Sequence, residues 1–248
     1  MSPVLTHAIC ERNKLLSFGV GVGFSLLSGC VYFNQIFNPL AKIPFIHYRE
    51  PLKSLSFSAV DMNHEKNTLT FYIRNDGCIR RDWKIQTDEG KVISPVELIT
   101  PSHSFFIIPE QRQYSDSLGD YGDMMQVFCL LLIAPEKVLK DAVLLQDGIV
   151  EKDSKVDKYK LFFQNSDLEA FLTVEKDTGF WLSLDCRKQD DSFRSILSFV
   201  EYKDYHGTMF PSKWVTHFFH DDSAVTVRDV QFNPVLDNTL FNPDISNL

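Results

Sequence analysis

The stretch "FVEYKDYHGTMFPSKWVTHFF", residues 199–219, decides the fold class. Two runs rich in aromatic and β-branched residues flank Asp204–Gly207, a segment of turn-forming residues. Gly207 suits a tight turn because glycine readily adopts positive φ angles. The stretch therefore predicts a β-hairpin with two antiparallel strands.

Five short β-type runs precede this hairpin. In residues 68–75, Leu69, Phe71 and Ile73 alternate with more polar residues, so they share one face of a strand. Small polar segments such as "NDG" and "DEG" separate the runs and indicate turns. The runs are "LSFSAVDM", "TLTFYIRN", "CIRRDWKIQT", "VISPVELIT" and "SFFIIP". They predict an antiparallel meander.

The segment from residue 158 onward returns to β-type runs. The clearest hairpin is "FLTVEKDTGFWLSLD", residues 171–185, with a turn predicted at Lys176–Gly179. Together the two blocks indicate a mainly β protein of the α+β type. Residues 51–248 are expected to form one β domain.

A helical insert is predicted between the two β blocks, around residues 120–147. Pro135 is expected to begin a second short helix, since proline is favoured in a first turn. The simplest interpretation is that the insert packs on the sheet as ordinary core. The alternative is a movable lid over an apolar concavity. The apolar residues at helical spacing are Met124, Val127, Phe128, Leu131 and Leu132.

The N-terminal segment has the layout of a secretory signal. Arg12 and Lys14 precede an apolar core, which ends in the small residues Ser28 and Gly29 before Cys30. This ending resembles the bacterial lipoprotein processing box, so residues 1–29 are predicted to be a cleaved signal peptide. Cys30 is the predicted lipid attachment site. The alternative, a membrane-spanning anchor, needs an apolar run of roughly 20 residues, and this run is shorter.

Residues 30–50 follow the predicted lipidation site. Apolar residues fall at helical spacing before Pro44, namely Phe33, Ile36, Phe37 and Leu40. The segment predicts a lipidated N-terminus with a short helix. Such a short tether keeps the domain close to its membrane.

Charge and cysteine content narrow the class of partner. The formal net charge of −8 argues against nucleic acid, whose binding depends on basic side chains, and favours an apolar or protein partner. Cys78, Cys129 and Cys186 lack metal-ligand spacing. An envelope location permits one disulfide among them, but buried free thiols are favoured.

No catalytic, metal or cofactor site is predicted. The sequence has no nucleophile-elbow pattern and no phosphate-binding loop, so the protein is not expected to be an enzyme. The segment "HFFHDD" groups His217 and His220 with Asp221 and Asp222. Residues three apart on a strand point to opposite faces, which favours solvated residues at a hairpin end over a metal site.

The aromatic content is high, with 21 Phe, 8 Tyr and 3 Trp. These side chains either fill a closed core or leave part of a concave face open. An open face would bind acyl chains, because each buried CH₂ contributes about 0.8 kcal/mol. Residues within apolar alternating runs are the predicted ligand-binding set: Phe71, Ile73, Phe106, Ile108, Phe162, Leu172, Trp181 and Trp214.

The order of these features resembles the LolA/LolB-like superfamily of lipoprotein carriers and receptors. The likeness is carried by "YKDYHGTMFPSKW", residues 202–214, and by "VQFNPVLDNTLFNP", residues 230–243. It implies a curved antiparallel half-barrel wrapped around a few helices, with an apolar cavity for lipid or for the acyl chains of lipoproteins. An anchored member resembles the receptor more than the soluble carrier.

The sequence thus predicts a lipid-anchored protein of the bacterial cell envelope that binds acyl chains without covalent chemistry. Val31 after Cys30 differs from the Asp that resembles an inner-membrane retention signal in enterobacteria, and this difference favours the outer membrane, facing the periplasm. Transport or localisation of lipoproteins to that membrane is the expected role. The alternative is a structural or assembly lipoprotein that binds a protein partner in the envelope.

Overall fold

The computed structural model describes residues 51–242, apart from 152, 164–166 and 219–220. The predictions for residues 1–29, for Cys30 and for residues 30–50 lie outside the described residues, as does His220. All described residues belong to one of the two compact units of the chain.

Two helices and fourteen strands are found within the described ranges. The helices are α1 (Gly119–Ile133) and α2 (Pro135–Leu139). Short 3₁₀ turns occupy Pro109–Gln111 and Asn238–Phe241. The strands are β1 (Ser54–Asp61), β2 (Thr68–Arg74), β3 (Ile79–Gln86), β4 (Val92–Ile93), β5 (Val96–Ile99), β6 (Ser104–Ile108), β7 (Gln113–Ser115), β8 (Val143–Glu151), β9 (Ser154–Leu161), β10 (Glu169–Glu175), β11 (Trp181–Arg187), β12 (Arg194–Tyr205), β13 (Thr208–Phe218) and β14 (Asp221–Phe232).

The strands form one open, curved antiparallel sheet, in the order β7-β6-β5-β3-β2-β1-β14-β13-β12-β11-β10-β9-β8, with β4 beside β3. Each half is a meander, and the pairing of β1 with β14 joins the halves. The edge strands β7 and β8 are consecutive in the chain, so α1 and α2 connect opposite edges of the sheet. The predicted mainly β fold with a few helices is confirmed.

Local sequence signals explain these strands. Leu69, Phe71 and Ile73 are buried on β2, as their alternation predicts. Between β12 and β13, Tyr205 pairs with Thr208, which leaves a two-residue loop of His206 and Gly207. Both loop residues have positive φ, 56° and 83°, the geometry whose twist matches that of the flanking strands. The predicted hairpin is confirmed.

The helix α1 is apolar on nearly every side, and most of its residues are buried. It ends before Pro135, which begins α2 as predicted. The second helix is shorter than expected, since it ends at Leu139 and residues 143–151 form β8. A short apolar run is compatible with either a helix or a strand. Residues 143–151 form a strand because they pair with β9. None of the described helices has the length and apolarity needed to cross a membrane.

Candidate functional site

An apolar cavity of about 240 Å³ lies between α1 and the sheet. The helix contributes one face, and strands from both halves of the sheet contribute the opposite wall. Its wall consists of Leu69, Phe71, Arg81, Trp83, Tyr121, Met124, Met125, Phe128, Leu197, Trp214, Thr216, Phe218, Ser223 and Val225. The cavity is therefore the place where the helical insert leaves part of the sheet face unfilled.

Aromatic rings form the deep wall of this cavity. Trp214 on β13 lies 5.3 Å from Phe128 on α1 and 6.4 Å from Phe71 on β2, measured between ring centroids. Phe71 stacks on its cross-strand neighbour Phe57 with a centroid distance of 4.4 Å. These rings are almost completely buried. They fix a rigid apolar surface, because aromatic pairs of this geometry are mutually attractive.

The opposite end of the cavity is more polar and more exposed. Thr216 and Ser223 pair across β13 and β14, and Ser223 is exposed to solvent. Two further lining residues, Trp83 and Phe218, are half-buried. The cavity wall thus combines closely packed, buried aromatic rings with a more exposed part that carries two hydroxyl groups.

Arg81 contributes a buried cation to the cavity wall. Arg81 pairs with Glu97 on the adjacent strand, with a distance of 2.7 Å from Nη1 to Oε2, and its Nη1 also donates to the hydroxyl of Tyr121. The Trp83 indole N–H donates to the other oxygen of Glu97 over 2.9 Å. The Arg81 guanidinium also lies about 5 Å from the rings of Phe71 and Trp83.

The environment keeps Arg81 charged. Burial alone lowers its pKa, but the Glu97 carboxylate and Tyr121 more than compensate, so the pKa of Arg81 lies above its ordinary value. The side chains of Arg81 and Glu97 are only 4% and 7% exposed. The two opposite charges therefore cancel, and Arg81 is not an unpaired cation in the cavity wall.

The structure places the predicted ligand-binding residues in different environments. Phe71 and Trp214 line the cavity. Ile73, Leu172 and Trp181 are buried elsewhere in the core, while Phe106 and Ile108 are half-buried on β6. Phe162 is 50% exposed just after β9. A ligand-binding role for these eight residues stays a prediction.

Sequence reasoning missed other members of the wall. Tyr121 and Met125 come from the first turns of α1, and Arg81 comes from β3. The spacing of Tyr121, Met125 and Phe128 could have identified a helical stripe, since residues three and four apart share a face. The partner of Arg81 depends on the register of β3 against β5, which the sequence pattern does not supply.

The segment "HFFHDD" contributes a cross-strand contact. His217 contacts Asp222 across β13 and β14, with 2.7 Å between Nδ1 and Oδ1. Within the described ranges, no three His, Cys, Asp or Glu side chains come together as a set of metal ligands. The contact is a pair of polar residues at the end of a hairpin.

The three cysteines outside the N-terminal segment are free thiols. Cys129 and Cys186 are buried, which confirms the expectation of buried thiols for these two, and Cys78 is half-buried. Burial raises the pKa of Cys129 to about 12. Burial also raises the pKa of Cys186. Both are therefore packing residues in the protonated form.

Solved structures share this architecture. The fold is similar to a domain named for outer membrane lipoprotein sorting from Vibrio parahaemolyticus, with a TM-score of 0.52 and 12% identity, over 78% of this chain and 91% of that one. It is also similar to a LolA superfamily protein from Nitrosomonas europaea, with a TM-score of 0.52 and 11% identity, over 79% and 93% of the two chains.

Neither a family model nor a curated protein matches the sequence. The structural likeness nevertheless shows that the chain has a LolA/LolB-like fold, as the hairpin and the closing segment indicated. Because the identity is low, the likeness extends to the fold alone.

Proposed function

We propose that this protein is a lipoprotein of the bacterial envelope that binds lipid, or the acyl chains of lipoproteins, in the cavity beneath α1. Anchored through Cys30, it would serve transport or localisation at the outer membrane. The observation that supports this most strongly is the unfilled apolar space between α1 and the aromatic face of the sheet. An acyl chain gains free energy there from burial alone, without a directional partner.

The cavity is smaller than the roughly 300–1,000 Å³ of typical small-molecule pockets. Its volume of about 240 Å³ suits a slender chain segment rather than a bulky ring system. The polar opening at Thr216 and Ser223 would receive the end of the chain that carries the head group. Binding of this kind requires no covalent step.

Native mass spectrometry with lipid extraction tests the proposal. Residues 31–248, produced in a bacterial periplasm without the anchor, should carry a stoichiometric lipid whose extraction identifies the ligand class. A chain that stays free of ligand after incubation with phospholipid and acylated peptide would contradict lipid binding.

A protein-binding role is the second candidate, and the edge strand β8 favours it. Val143, Leu145 and Val150 on this strand are 48%, 50% and 73% exposed. An exposed edge with apolar side chains can pair with a strand of another protein. If no lipid is found, this strand becomes the first surface to test for a partner in the envelope.

A further inference from the structure

The charge in the cavity wall is already matched by a fixed partner. Arg81 and Glu97 lie directly opposite each other on β3 and β5, and the Arg81 Nη1 atom is 2.7 Å from the Glu97 Oε2 atom. The hydrogen bond from Trp83 holds the second oxygen of Glu97. The carboxylate thus lies beside the guanidinium through an ion-pair contact at Oε2 and a hydrogen bond at Oε1.

The other polar groups of the wall carry no formal charge. They are the hydroxyls of Tyr121, Thr216 and Ser223 and the indole N–H groups of Trp83 and Trp214. Among the described residues that line the cavity, Arg81 alone is charged. A hydroxyl can donate to a carbonyl oxygen without adding a net charge. The wall as a whole is therefore suited to a neutral, hydrogen-bonding head group.

An anionic head group would meet a different environment. An anion that approached Arg81 would also approach the Glu97 carboxylate, because the two side chains are in contact, and like charges at short range repel strongly where water is excluded. An anion that displaced Glu97 from Arg81 would leave that carboxylate buried and unpaired, and an anion that shared the guanidinium with Glu97 would leave a net negative charge in the wall. A carbonyl group of an ester or amide needs only a donor and avoids both penalties.

We propose that the cavity selects acyl chains carried by a neutral ester or amide over amphiphiles with an anionic head, and that Glu97 sets this selectivity by neutralising Arg81. The inference rests on the proposed function of the same cavity. It excludes free fatty acids as the preferred ligand. It also assigns Glu97, which does not line the cavity, a positioning role exerted through Arg81.

Competition on the full-length protein in phospholipid nanodiscs tests the selectivity. A photoactivatable analogue of methyl palmitate serves as the label, and methyl palmitate and hexadecanesulfonate compete at equal mole fractions in the bilayer. The sulfonate is anionic at every working pH. We expect methyl palmitate to compete better by about tenfold or more.

Equal competition, or a preference for the sulfonate, would overturn the selectivity while leaving acyl binding intact. Failure of the wild-type protein to take up any label would count against the proposed function itself. The two failures are therefore distinguishable in one experiment.

Substitutions at the ion pair test whether Glu97 is the cause of the selectivity. Glu97→Gln keeps an acceptor for Trp83 but leaves the charge of Arg81 unmatched, so it should shift the preference towards the sulfonate. The double variant Arg81→Met/Glu97→Gln has no formal charge and should restore the preference for the ester. An unchanged ratio in folded Glu97→Gln would contradict the role of Glu97.

If variants of the Arg81–Glu97 pair do not fold, a variant at Thr216 still tests the selectivity. Thr216→Lys adds an unpaired cation at a half-buried lining position and should improve competition by the sulfonate. The matched control Thr226→Lys adds the same charge on the next strand at a residue outside the cavity wall, and the ratio should not move. If Thr216→Lys left the competition ratio unchanged, the electrostatic basis of the selectivity would be refuted.

Discussion

Arg81 and Glu97 form a cross-strand ion pair in which each side chain is less than a tenth exposed. Removing one member leaves the other charge buried without a partner. We expect Arg81→Met to lower the free energy of unfolding by about 3–5 kcal/mol, the range typical of a broken buried pair. Urea unfolding followed by fluorescence measures this loss.

The control for this prediction removes both charges. Because replacing both partners avoids an unpaired charge, Arg81→Met/Glu97→Gln should recover most of the stability lost in the single variant. The amide oxygen of the introduced glutamine would still accept the hydrogen bond from Trp83. A double variant as unstable as Arg81→Met would show that the ion pair is not the source of the effect.

The turn between β12 and β13 gives a prediction about backbone conformation. Gly207 has a φ of +83°, and no heavy atom lies within 4 Å of the position that a Cβ would take, so only the backbone opposes a side chain there. Gly207→Ala should destabilise the protein by about 1–2 kcal/mol in a urea titration. His206→Asn should be neutral or slightly stabilising, because asparagine tolerates the positive φ of 56°. Equal losses in both variants would contradict the turn assignment.

Burial of the thiols predicts their order of alkylation. The raised pKa of Cys129, about 12, means that almost no thiolate is present at pH 8. Cys129 and Cys186 should therefore resist iodoacetamide in the folded protein, while half-buried Cys78 reacts faster. Peptide mass spectrometry at pH 8, with a urea-unfolded control, measures this order. Rapid labelling of Cys129 in the folded protein would contradict its burial on α1.

An ion pair ties the first turn of α1 to the connection after β11. Lys188 Nζ lies 2.9 Å from Asp120 Oδ1, and this hydrogen bond is the main reason that the pKa of Lys188 is raised. Asp120→Asn should speed hydrogen exchange of amides at the start of α1, and high salt should weaken the ion pair in the wild type.

The matched control is Asp88→Asn, an exposed position in the connection between β3 and β4. It makes the same chemical change away from the helix, so exchange in α1 should be unaffected. If the two variants leave α1 equally protected, Lys188 does not hold the helix on the sheet.

Local patterns were sufficient to predict several elements of the fold. The alternation around Phe71 gave the buried face of β2, and Gly207 marked the hairpin turn. Pro135 marked the start of the second helix. These signals depend on neighbouring residues only, so they can be recognised without knowledge of the tertiary structure. The boundary at Val143 was missed because pairing with β9 overrides the local apolar run.

The cavity depends on relationships that the sequence does not display. Phe71 and Trp214 were predicted from apolar alternation and do line it, but alternation equally selected Leu172 and Trp181, which are buried in the closed part of the core. Tertiary packing determines which part of an aromatic face is covered by a helix. Arg81 was missed because a charged residue in a strand normally predicts the solvent face.

Photolabelling of cavity-filling variants tests the central claim, that acyl chains bind between α1 and the sheet. Val225 lines the cavity, and Thr226 is the next residue on β14 but does not line it. We expect Val225→Phe to lose most of the label while Thr226→Phe labels like the wild type, with the wild-type adducts mapping to α1 and β13. Undiminished labelling of folded Val225→Phe, or adducts confined to other surfaces, would contradict the account.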